Sequence, residues 1–106
     1  MAVTDDLLPL VKQNLIIAHD EDDELIKQFV ESAISYAVNY QHKRENYYAR
    51  RRMSNATKTG VIMLASHFYE SRDGSTGGYF NNAAAAADNV WAAVNRLLRM
   101  DKDVQV

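Results

Sequence analysis

The sequence predicts an all-α fold: a small single-domain bundle of about four helices, two of them long. Three observations carry that reading. Apolar residues recur at three- and four-residue spacing over long stretches. No segment sustains the alternation of β-branched and polar residues that marks a half-buried strand. The chain holds one proline and four glycines, and most of the glycines fall in one short loop-like stretch.

The first helix is predicted from Asp6 to about Leu15. Asp6 as N-cap puts Pro9 in the first turn, where its missing N–H costs little. The second is predicted over Asp22 to about Gln41. Leu25, Ile26, Phe29, Val30, Ala33, Ile34, Ala37 and Tyr40 form its apolar stripe, opposite Lys27, Gln28, Glu31, Ser35 and Asn39. The stretch "HKRENYYARRRMSN", His42 to Asn55, is basic and aromatic with weak periodicity and reads as a connection holding a short helical turn. A third helix is predicted from Asn55 to Arg72 with Ile62, Ala65, Phe68 and Tyr69 facing inward. "DGSTGGYFNN", Asp73 to Asn82, reads as a glycine-rich surface loop. The alanine run from Ala83 to Ala87 leads into a last helix with Val90, Trp91, Val94, Leu97 and Leu98 on its inner stripe. A charged tail from about Asp101 is expected to fray.

At 106 residues the chain has the length of one domain, here taken as 1–106. Folding can bury roughly two-thirds of the surface its extended form exposes, enough for a core. Apolar residues make up 47% and charged residues 25%, ordinary values for a globular protein. A net charge of −2 argues against a protein dominated by nucleic-acid binding, while leaving room for a local basic patch. No apolar run reaches membrane-spanning length, so no membrane association is expected. The N-terminus lacks a basic start and apolar centre, so no secretion signal is expected and the chain reads as cytosolic. Without cysteine there is neither a disulfide framework nor a thiolate zinc site.

The densest charge is "HDEDDE", His19 to Glu24. A histidine beside five carboxylates invites a metal, but an EF-hand loop beginning at Asp20 needs glycine at its sixth position, which is Leu25. Leu25 also opens the apolar helical stripe. The run is therefore expected to start a helix, Asp20 or Asp22 capping free backbone N–H groups while Asp23 and Glu24 meet the positive end of the dipole. No histidine pair has HExxH or other short ligand spacing. No serine sits in a glycine elbow, and "DGSTGG" lacks the lysine–hydroxyl pair of a phosphate loop. No enzyme, cofactor or metal site is expected.

Two segments stand out as contact surfaces. Lys43, Arg44, Arg50, Arg51 and Arg52 interleave with Tyr47 and Tyr48, a composition that stacks bases and meets phosphates. It equally suits a protein interface, where Tyr and Arg are enriched, or a solvated loop. Tyr79 and Phe80, apolar groups in the glycine loop, are candidates for docking on a partner. Phe29, Phe68 and Trp91 are expected in the core rather than in a ligand pocket.

The order of "HDEDDELIKQFVESAISYAVNY" (His19–Tyr40), "LASHFYESRDG" (Leu64–Gly74) and "VNRLLRM" (Val94–Met100) resembles the small head–tail connector proteins of tailed bacteriophages. The resemblance spans most of the chain from His19 onward. It implies a structural, all-helical virion protein that forms a homo-oligomeric ring of about a dozen copies, a head-to-tail arrangement joining unlike faces. Such a ring would sit at the portal protein, receive tail or head-completion proteins, and let DNA pass without sequence-specific binding. The residues expected at its contacts are the basic–aromatic segment, Tyr79 and Phe80, and the acidic Asp20, Asp22, Asp23 and Glu24. The alternative is a small helical nucleic-acid-binding module built on residues 43–52.

Overall fold

A computed structural model of the chain describes residues 3–72 and 81–102, with residues 81–87 described by backbone alone. Five helices appear among them and no strand: α1 (Val3–Leu15), α2 (Asp23–Tyr40), α3 (Tyr47–Arg50), α4 (Asn55–Ser71) and α5 (Asn81–Arg99). This is the all-α bundle expected, with three long helices of seventeen residues or more where two were expected. Tyr79, Phe80 and the rest of the expected glycine loop up to it lie outside the described residues, as does the tail beyond Lys102.

α1 begins three residues before the expected Asp6. Thr4, Leu7 and Val11 form one buried stripe, so packing extends the helix upstream of its expected cap. Pro9 consequently lies inside the helix, where it forfeits the bond to the carbonyl four residues earlier. Its exposed position leaves that carbonyl to water. α1 ends in a Schellman pair: Ile16 N–H donates to the Gln13 carbonyl at 3.2 Å and Ile17 N–H to the Lys12 carbonyl at 2.9 Å.

α2 buries Ile26, Val30, Ala33, Ala37 and Val38, the centre of the expected stripe; Phe29, Ile34 and Tyr40 flank it, partly buried. It too stops in a left-handed residue, His42 with φ 61°, and Lys43 N–H closes onto the Val38 carbonyl at 2.9 Å. α3 is a single turn pinned by Tyr48, and Met53 follows it into the core.

α4 is the central element, packed against α1, α2 and α5. Its buried set is Thr57, Gly60, Val61, Leu64, Ala65 and Ser66. Of the expected inner residues only Ala65 is fully buried; Ile62, Phe68 and Tyr69 lie at the margins of the core. Its innermost line is crowded by the neighbouring helices, so the largest apolar residues do not mark its centre. Small residues do: a Cβ on Gly60 would come within 3.2 Å of Leu98 Cδ2. On α5, Val94 and Leu98 are fully buried, with Val90 and Trp91 packed beside them. Phe29, Phe68 and Trp91 form a continuous aromatic cluster, with centroids 6.1 Å apart at each step.

Candidate functional site

The acidic run ties helices together. Asp22 occupies the N-cap position of α2, yet its side chain makes no capping bond. Its ψ of 12° departs from the extended conformation that aims a cap side chain at the free N–H groups. Ser54 shows the contrast: with ψ 163° its hydroxyl accepts from Thr57 N–H at 3.1 Å. The expected side-chain capping by Asp20 or Asp22 is thus replaced by tertiary contacts. Asp22 accepts from the Tyr69 hydroxyl of α4. The Lys12 ammonium of α1 lies 2.6 Å from Asp20 and 2.8 Å from Asp23. These partners raise the Lys12 pKa, Asp20 foremost, and Lys12 in turn lowers that of Asp20. Glu24 is 90% exposed, 3.5 Å from Lys27, and Glu21 is also exposed. Among the described residues no three His, Asp or Glu side chains converge into a metal-binding group.

At the other end of α2 the sequence gives no hint of what holds the basic segment. Gln41 is completely buried. Its Nε2 donates to Thr57 Oγ1 at 2.8 Å and to the Leu98 carbonyl at 2.9 Å, and its Oε1 accepts from the Tyr48 hydroxyl. Thr57 Oγ1 donates a hydrogen bond to Asp101 at 2.6 Å, and the Ser54 hydroxyl donates to the same carboxylate. Those two hydroxyls hold Asp101 below the usual carboxylate range, Ser54 foremost. Burial pushes the Tyr48 phenol up. Asp101, expected to start a frayed tail, is instead anchored. The network joins the ends of α2 and α5, the start of α4 and α3, so the basic segment is held on a rigid base.

Tyr48, one of the candidate contact residues, is 5% exposed, and its hydroxyl donates internally to Gln41. Tyr47 is half-buried with the Lys43 ammonium 4.9 Å and the Arg51 guanidinium 5.5 Å from its ring centre. Arg44, Arg50, Arg51 and Arg52 are exposed. Arg44, Tyr47, Arg50 and Arg51 line an open cleft of about 620 Å³ together with Glu45 and Asn46. A second cleft of about 350 Å³ is lined by Val3, Asp6, Leu7 and Leu10 of α1, by Tyr48, Ala49, Arg50, Arg51, Arg52 and Met53, and by Lys58 of α4, so that four cations and one carboxylate face it.

The acidic and basic segments sit at opposite ends of α2, which at eighteen residues is about 27 Å long at 1.5 Å per residue. They cannot neutralise each other within one chain. No described helix is long and apolar enough to cross a membrane. No curated protein and no solved structure matches the chain. A family model does, that of the phage gp6-like head–tail connector protein, over residues 5–101. With nearly the whole chain matched and an all-helical bundle beneath it, the protein belongs to the phage head–tail connector family, structural components of the virion.

Proposed function

We propose that copies of this chain close head to tail into a ring that joins the portal vertex of the capsid to the tail. The observation that carries the reading is the pair of unlike charged surfaces at the two ends of α2 in a member of the connector family. A ring with a rotational repeat needs two different faces that fit one another. Opposite charges give such faces register and a faster encounter more than they give affinity. The net charge of −2 per copy suits a passage for DNA, since each phosphate neutralised by a cation adds affinity and would retard transit.

The rival use of residues 43–52, nucleic-acid binding, needs aromatic faces open to bases. Tyr48 is buried and cations lie over Tyr47, which favours protein contacts. Sedimentation and negative-stain electron microscopy of the concentrated chain at low salt test the proposal. Closed rings are expected. A chain that stays monomeric at every concentration while binding DNA tightly and salt-dependently would overturn it in favour of the nucleic-acid reading.

A further inference from the structure

Among the described residues, three other than glycine have positive φ: Ile16 at 59°, His42 at 61° and Asn46 at 65°. Asn and His tolerate this region, but a β-branched residue there is an outlier that carries strain. Ile16 occupies the position after α1 where glycine is the usual choice. Its side chain is 92% exposed, so it adds almost nothing to the core in return. The backbone of Ile16 closes α1, but its side chain contributes nothing to the fold that glycine would not supply. Backbone outliers of this kind concentrate at binding sites.

Asp20 and Glu21 follow Ile16 closely in the chain, and both are exposed, Asp20 while paired with Lys12 at 2.6 Å. The cleft beside α3 offers the complement: Val3 and Leu10, both partly exposed, lie among Arg50, Arg51, Arg52 and Lys58, with Asp6 the one acidic residue of the lining. Val3, Leu7 and Leu10 lie six to thirteen residues before Ile16 on the same helix, about 9–20 Å away along its axis. The chain cannot insert its own Ile16.

We propose that Ile16 of one copy seats in the α1–α3 cleft of a second copy, with Asp20 and Glu21 against its arginines. The contact rests on the ring reading above and names its interface. α1 then carries the knob at one end and a wall of the socket at the other. A single rigid helix fixes the step from copy to copy, as a head-to-tail assembly requires.

Ile16→Gly separates this role from folding. Relief of the left-handed strain, less the greater freedom of glycine in the unfolded chain, should raise the melting temperature of dilute protein by about 2–6 °C. Self-association measured by sedimentation should weaken at least tenfold. Because the chain has no cysteine, Ile16→Cys combined with Arg51→Cys gives a second readout. Oxidation of the associated double variant should produce a ladder of disulfide-linked oligomers, whereas either single variant should stop at dimers. Wild-type rings with unchanged association of Ile16→Gly and no ladder would overturn the Ile16 contact and leave the ring reading standing. Association unchanged but binding to a different phage protein lost would overturn the second-copy assignment. A wild type that never associates would overturn the ring reading itself.

Discussion

Gln41 shows how much of this protein rests on single polar side chains. Its amide satisfies the Tyr48 hydroxyl, Thr57 and the Leu98 carbonyl at once. Gln41→Leu keeps roughly the shape but takes the acceptor from the buried Tyr48 hydroxyl, at a cost of about 1–3 kcal/mol, and one bond each from Thr57 and the Leu98 carbonyl, which keep Asp101 as a partner. Partial relaxation should leave a loss of about 2–4 kcal/mol by denaturant titration, with helical content retained. Asp101, at the network's outer end, makes the same junction acid-sensitive. Its folded pKa lies below the ordinary 3.8. A depressed carboxylate adds stability that is present above the unfolded pKa and lost as pH falls through the folded one. Melting temperature should therefore hold from pH 7 to about 5 and drop below 4, and Asp101→Asn should show a smaller drop than wild type. Little of this was legible in the sequence. Gln41 and Thr57 are ordinary polar residues at helix ends, and their burial follows only from where four elements meet. Asp22 is the converse: the right residue type at the right position for a cap, with a backbone angle and a Tyr69 partner that redirect it.

Among the elements, α2 and α5 were legible because their buried residues fall on one apolar stripe, so apolar spacing reports burial directly. The central α4 was not. Its extent was clear from Asn55 to about Arg72, but its innermost line runs through Thr57, Gly60, Val61 and Leu64, where small size counts for more than hydrophobicity. Gly60 is the sharpest test. Alanine there gains up to about 1 kcal/mol in helix propensity, against a contact of 3.2 Å with the movable end of the Leu98 side chain. The two effects should nearly cancel, leaving Gly60→Ala within about 1 kcal/mol of wild type. Gly60→Leu has no such escape. It must push α5 away from α4 and should cost more than about 3 kcal/mol, beyond the usual overpacking range. Thermal melts of the two variants decide whether this close approach is as tight as described.

For the whole molecule, the charge arrangement is the property that the connector role would use. Glu21 and Glu24 are exposed at one end of α2, and Arg50, Arg51 and Arg52 beyond the other. Exposed charges contribute little to folding, so reversing either set should leave the melting temperature within a few degrees of wild type. Assembly should respond differently. With all three arginines changed to Glu, both contact faces become acidic and copies should repel; with Glu21 and Glu24 changed to Lys, both become basic and should repel as well. An equal mixture of the two variants restores opposite charges at every contact of an alternating chain, and one polypeptide carrying both reversals restores them at every contact of a uniform ring. Sedimentation at low salt should therefore show each variant alone monomeric, with the mixture and the combined variant associated. All of these differences should shrink once the salt concentration makes the screening length shorter than the contact. Failure of both rescues, with folding intact, would mean that the segments meet other surfaces than each other. Reduced assembly in the arginine variant alone would then point to a partner protein as the acidic side of the contact.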